Sequence, residues 1–233
     1  MKGLLSRVIR PPYLSRGRII ILIHLAATKI FPIVEKYLKL HVTPAHFYSP
    51  IPITYELESS VFNKRSECVG LDWNLDEQFR ILKKIVPQYL EEYTPENNGG
   101  LSRVDALILY AMIREEKPKL MIEVGGGEST KISLRALRKN RSVGYPFKFY
   151  SVEPYPKDEL RELEDRDFSL IEEKVQNVSN DLLTSADLLF IDSSHVSKID
   201  SDVNCEILEI VPKLKVGSVI HWHDIVIPQN YWK

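Results

Sequence analysis

Residues 119–130, K-L-M-I-E-V-G-G-G-E-S-T, constrain the fold of this chain more than any other stretch. Residues 120–124 form a short run of buried-strand type. Gly125, Gly126 and Gly127 follow it, and a helical pattern begins near Ser129. Strand, glycine turn and helix in that order open an α/β sheet. Glycines permit a tight turn and close backbone approach, and the unpaired N–H groups of the next helix attract a carboxylate or phosphate. The turn is therefore expected to cradle a nucleotide cofactor. A dinucleotide fingerprint requires G-x-G-x-x-G. Gly125 and Gly127 fit it, but Thr130 stands at the last position, so a nicotinamide oxidoreductase is the weakest enzyme alternative.

With 233 residues, 27% charged and 44% hydrophobic, the chain is large enough for one sizeable core and an additional segment. A formal net charge of −1 gives no case for nucleic-acid binding. Cys68 and Cys205 are far apart and belong to no C-x-x-C pair, which suits a cytoplasmic location. The N-terminal segment differs from the rest. Lys2, Arg7, Arg10, Arg16 and Arg18 precede the first acid, Glu35, and residues 19–27 are an apolar run too short to span a bilayer. Three alternatives fit it: a helical extension packed on the body, peripheral contact with an anionic membrane, or an export signal without a clear cleavage site.

Residues 41–75 are rich in proline and aromatic side chains. Pro44, Pro50 and Pro52 exclude regular helix there and favour a linker or lid. His46, Phe47 and Tyr48 either line a substrate pocket or anchor that loop to the core. Two helices are then expected. In residues 75–93, Phe79, Leu82, Ile85, Val86, Tyr89 and Leu90 recur at three and four. Residues 102–116 follow the break at Asn97, Asn98, Gly99 and Gly100, with Asp105 as a helix-start charge.

Beyond the glycine turn, residues 147–152 form a second strand that ends at Glu153, where a carboxylate holds a ribose diol in folds of this kind. Residues 160–166 are expected as charged helix surface, and residues 169–171 open a third strand. Residues 187–192 are an apolar strand ending in Asp192, with His195 three positions on. Residues 203–214 form a covering helix, and residues 218–223 form a fifth strand closed by Asp224. If strands four and five pair, their ends lie ~5 Å apart, and Asp192 and Asp224 can face Mg²⁺ or a similar hard cation through oxygen. His221 and His223 share one face of a regular strand while Asp224 points away, so His223 and Asp224 both serve as ligands only if the chain leaves the strand there. His221, deeper in the strand, is expected as a hydrogen-bonded core histidine.

From about His46 to Trp232 the chain resembles a bacterial branch of the class I S-adenosylmethionine (SAM) methyltransferases, through H-F-Y-S-P-I-P, E-V-G-G-G, V-E-P-Y, I-D-S-S-H-V and H-W-H-D in order. The resemblance implies SAM as cofactor, Glu123 near its methionine end, and Gly125, Gly126 and Gly127 as the turn that admits it. It also implies Glu153 on the ribose, Gln176 or Asn177 at the adenine amine, and Asp192 beside both cofactor and acceptor. The chain is further similar to metal-dependent sugar O-methyltransferases. There a carboxylate after strand four and an acidic pair after strand five hold Mg²⁺, and a histidine takes the hydroxyl proton. By that likeness Asp192, His223 and Asp224 are the metal ligands and His195 the base, although His223 stands where an acid is usual. A small-molecule or sugar hydroxyl is the implied acceptor, with a homo-oligomer as a further expectation. A non-catalytic SAM-binding module is the alternative.

The expected architecture is a Rossmann-like, doubly wound α/β sheet, mainly parallel, with helices on both faces. Residues 1–45 form a helical extension, 46–101 a proline/aromatic loop and helical lid, and 102–233 the SAM-binding core. Sheets of the resembled family continue to the order 3-2-1-4-5-7-6. Since Lys233 follows Asp224 by nine positions, the C-terminal hairpin strands are expected to be missing, or supplied by the N-terminal extension or another subunit.

Overall fold

The structure, a computed structural model, describes residues 22, 23, 25–41, 49, 51–94 and 100–229. Expectations for the basic residues before Lys29, for Pro44, His46, Phe47, Tyr48 and Pro50, for Asn97 and Asn98, and for Trp232 fall outside the described residues. The chain divides into two compact units, Met1–Arg65 with Gln229–Lys233, and Ser66–Pro228.

In the first unit a wide π turn, Ala26–Ile30, runs into helix α1, Phe31–Leu38. Pro32 sits in the first turn of α1, directly behind the π turn, whose last N–H, that of Phe31, donates to the Ala26 carbonyl. Lys39 ends the helix in the left-handed region at φ 56°, its N–H donating to the Glu35 carbonyl.

The second unit begins with α2 (Leu75–Leu90) and α3 (Arg103–Glu116). The Ser102 hydroxyl caps α3 by accepting from the Asp105 N–H, and Lys117 at φ 49° stops it just before Pro118. Then come β1 (Leu120–Val124), α4 (Glu128–Ser142), β2 (Lys148–Val152), α5 (Asp158–Arg161), β3 (Phe168–Ile171), α6 (Asn180–Thr184), β4 (Leu188–Ile191), α7 (Asp202–Cys205) and β5 (Val219–Trp222). All four pairings are parallel, in the order β3-β2-β1-β4-β5.

The sheet is buried on both faces, which is why its inner strands read as nearly continuous apolar runs. Met121, Phe149, Leu188 and Phe190 pack with residues of α2, α3 and α4; Ile122, Val124, Val152, Leu189 and Ile191 pack with Leu183 and Ile210. Register sets the site. Val124 lies opposite both Val152 and Ile191, so Gly125, Glu153 and Asp192 leave the sheet at one carboxyl edge. The backbone continues that alignment: Gly125 N–H donates to Val152 O, Asp192 N–H to Val124 O, and His223 N–H to Ile191 O.

Two expected helices take a different form. The charged helix over 160–166 is confined to Asp158–Arg161, because Asp165 turns back to accept from Arg138 and Arg141 of α4. Those guanidiniums hold its carboxyl far below the usual range. The covering helix runs as α over Asp202–Cys205, π over Glu206–Ile210 and 3-10 over Val211–Lys213. The wide turn brings both Glu206 and Ile210 into the interior.

Candidate active site

Space forces the first two glycines of the turn. Gly125 has φ +88°, and a Cβ there would lie 1.9 Å from the Asp192 carbonyl oxygen; at Gly126 it would lie 2.5 Å from Ser151 Oγ. At Gly127 a Cβ would meet nothing within 4 Å, so that face of the turn is open. A cleft of about 440 Å³ lies at the carboxyl edge, with Gly125, Glu153, Gln176, Asp192 and Ser193 in its lining. That is the size and position of a small-molecule site in an open α/β sheet.

Glu153 is already oriented. Its Oε2 accepts from the Gly126 N–H at 3.3 Å and its Oε1 from the Tyr155 N–H at 2.8 Å. A carboxylate offers about four acceptor positions, so each oxygen retains one for a diol. Gln176 lines the cleft, its amide nitrogen donating to the Asp200 carbonyl at 2.7 Å. Its amide oxygen is left to accept from an amine. Asn177 is not part of the lining, and its amide donates to Glu173 Oε2.

Glu123 is fully buried within β1. Its Oε2 accepts from the hydroxyls of Thr130 and Ser151, while its Oε1 has no partner. Burial pushes its carboxyl up to about 7 against the lowering effect of those hydroxyls. Glu123 lies outside the cleft lining and braces the glycine turn through Thr130, whose hydroxyl accepts from the Gly127 N–H and donates to Glu123. The paired but unsaturated Glu153 is the acceptor in the cleft that a cofactor's diol completes. The residues present fit SAM.

On the other side of Asp192, three elements converge. His195 Nε2 and His223 Nδ1 both approach Asp192 Oδ1 to 3.3 Å. His195 holds the left-handed φ of 56°, and Asp224 that of 53°. β5 ends at Trp222, so the chain leaves the strand before His223 and satisfies the condition for His223 and Asp224 to face one centre. His223 Nδ1 lies 3.4 Å from Asp224 Oδ1, and one donor atom from each of Asp192, His223 and Asp224 falls within 4.8 Å of the others. His221 packs its ring edge-on to Phe190 at 5.0 Å, and burial lowers its pKa.

Two contributors escaped the sequence. Asp105, in the first turn of α3, brings Oδ2 to 3.8 Å from His223 Nε2; its position at a helix start concealed that. The segment after β4 forms a wall of the cleft because Asp202 accepts from both the N–H and the hydroxyl of Ser194, while Ser193 donates to the buried Glu206. The clustering of serines and acids over residues 193–206 was the available signal.

Residues 122–225 match a family model described as a methyltransferase domain. An uncharacterized protein of Archaeoglobus fulgidus is 36% identical over 162 residues, 58% of this chain and 69% of that protein. The SAH-bound Podospora anserina methyltransferase PaMTH1 is 20% identical, covering 66% of this chain and 71% of its own, with TM-score 0.41. A putative caffeoyl-CoA O-methyltransferase from Staphylococcus aureus is 15% identical, covering 65% and 73%, with TM-score 0.39. Residues 122–225 are thus those of a methyltransferase domain, for which the methyl donor is SAM.

Proposed function

We propose that this protein methylates a hydroxyl of a small molecule or sugar, with His195 as general base and Asp192 as its partner. The observation that carries the proposal is the position of Asp192, which borders the cofactor cleft on one side and meets two imidazoles on the other. SAM, when bound, supplies an electrophilic methyl group. Glu153 holds the ribose diol, Gln176 accepts from the adenine amine, and Glu123 with Gly125, Gly126 and Gly127 receives the methionine end. With its Nε2–H donating to Asp192, His195 keeps Nδ1 as the basic nitrogen and removes the acceptor's proton. Most of the acceleration comes from alignment of the two reactants.

Asp192, His223 and Asp224 would hold a divalent cation, and one bound there would polarise the acceptor hydroxyl. Two carboxylates and an imidazole suit Mn²⁺ or Zn²⁺ at least as well as Mg²⁺. The proposed setting is cytoplasmic, without a nucleic-acid partner and with self-association into a homo-oligomer.

Calorimetric titration of the purified chain with SAM and with S-adenosylhomocysteine tests the cofactor half. Glu153→Ala is expected to weaken saturable binding about 10- to 100-fold, the effect of losing a charge-assisted pair of hydrogen bonds. Unchanged affinity would remove Glu153 from the site, and a folded protein that binds neither compound would end the proposal.

A further inference from the structure

The near-neutral total charge conceals a strong asymmetry. Residues 1–41 hold eight Lys or Arg and a single acid, Glu35, while the remaining chain holds 23 basic and 31 acidic residues. A basic N-terminal segment ahead of an acidic remainder points to an anionic partner. The described part of that segment adds an apolar face. Ile30, Ile33 and Tyr37 recur at three and four along the helical run, and they are 57%, 57% and 71% exposed. No residue of α1 is buried, whereas α2, which also shows apolar side chains to solvent, buries Ile85 and Tyr89. Lys29 and Lys36 border the face, Lys39 lies at the far side, and Lys36 Nζ sits 5.3 Å over the Tyr37 ring. The one acid, Glu35, has His41 Nδ1 at 3.4 Å. Among the described residues no helix is long and apolar enough to cross a membrane.

An apolar stripe bordered by lysines and preceded by arginines matches an anionic lipid surface. Apolar side chains enter the acyl boundary while the cations meet headgroups. Nucleic acid would use the cations and leave Ile30, Ile33 and Tyr37 in water; a second copy of this chain would use the stripe and gain nothing from so many like charges. We propose that residues 25–38 lie flat on an anionic membrane as an interfacial helix. The proposal depends on neither SAM nor the acceptor.

Co-sedimentation of the full chain with vesicles tests it. Vesicles of phosphatidylcholine mixed with phosphatidylserine are expected to bind the protein, those of phosphatidylcholine alone much less, and high salt to weaken the binding. The double variant Ile33→Asp, Tyr37→Asp and the triple variant Lys29→Gln, Lys36→Gln, Lys39→Gln should each lower the partition constant about tenfold or more. Calorimetric SAM titration of both variants checks that the second unit is intact. Equal binding to neutral vesicles, or variants that bind like the wild type, would overturn the proposal. So would a lipid-free dimer, seen by sedimentation equilibrium, that the Ile33→Asp, Tyr37→Asp change dissociates, or RNA binding that competes with vesicles and survives that change.

Discussion

Glu123 and Asp192 stand at the carboxyl ends of neighbouring strands, yet their surroundings oppose one another. Glu123 is sealed inside the sheet, meets only hydroxyls, and is held toward its neutral form by burial. Asp192 is about a quarter exposed and lies between two imidazoles, with Asp224 and Asp105 beyond them. The proposed cofactor side is thus pre-arranged by hydroxyl and backbone N–H hydrogen bonds and by strand register. The acceptor side is assembled from groups whose charge changes as a proton moves. Under the proposed function, the difference would divide binding from proton transfer.

The largest effect should come from the acceptor side. His195→Ala is expected to lower turnover about 10²- to 10⁴-fold on any acceptor the wild type methylates, with SAM affinity unchanged by calorimetry. Equal loss of SAM affinity would erase the division between the two sides.

A smaller effect tests the cofactor side through pH. An acid whose folded pKa is raised retains its full contribution to stability below its unfolded value, near 4.5, and loses it as pH rises through the folded value of about 7. Urea unfolding of the cofactor-free protein should therefore show stability declining across that window. Glu123→Gln should flatten the decline by on the order of 1–3 kcal/mol. An identical pH profile in the variant would mean that the carboxyl is solvated in solution.

Asp105→Asn should give the smallest change. The carboxylate is half exposed and 3.8 Å from His223, so screening limits it to about a two- to fivefold loss of turnover. Asp105→Glu is expected to restore part of that loss, which a pure helix-start role would not require.

How far the site was legible follows the same division. β1 and β4 were plain because both faces of those strands are covered and their residues, Glu123 apart, are apolar. Glu153 and Asp192 were plain because each directly follows a strand end. Asp105 was not, since its proximity to His223 is made across more than a hundred positions of chain and leaves no local pattern. The wall formed by Ser194 and Asp202 was hidden for a related reason: hydrogen bonds eight positions apart in an irregular segment have no period. The short α5 was overread because charge alternation resembles a solvated helix until Arg138 and Arg141 claim Asp165.

β1 is flanked by β2 on one side and β4 on the other, and its first residue bonds to Asp187, 67 positions later. Closing a loop of that size is slower than forming the local β1–α4–β2 unit. During synthesis the edge that carries Glu153 can therefore take shape while the strand that carries Asp192 is still absent. The cleft itself is complete only later, because Gln176, Asp192 and Ser193 of its lining all follow β2 in the chain.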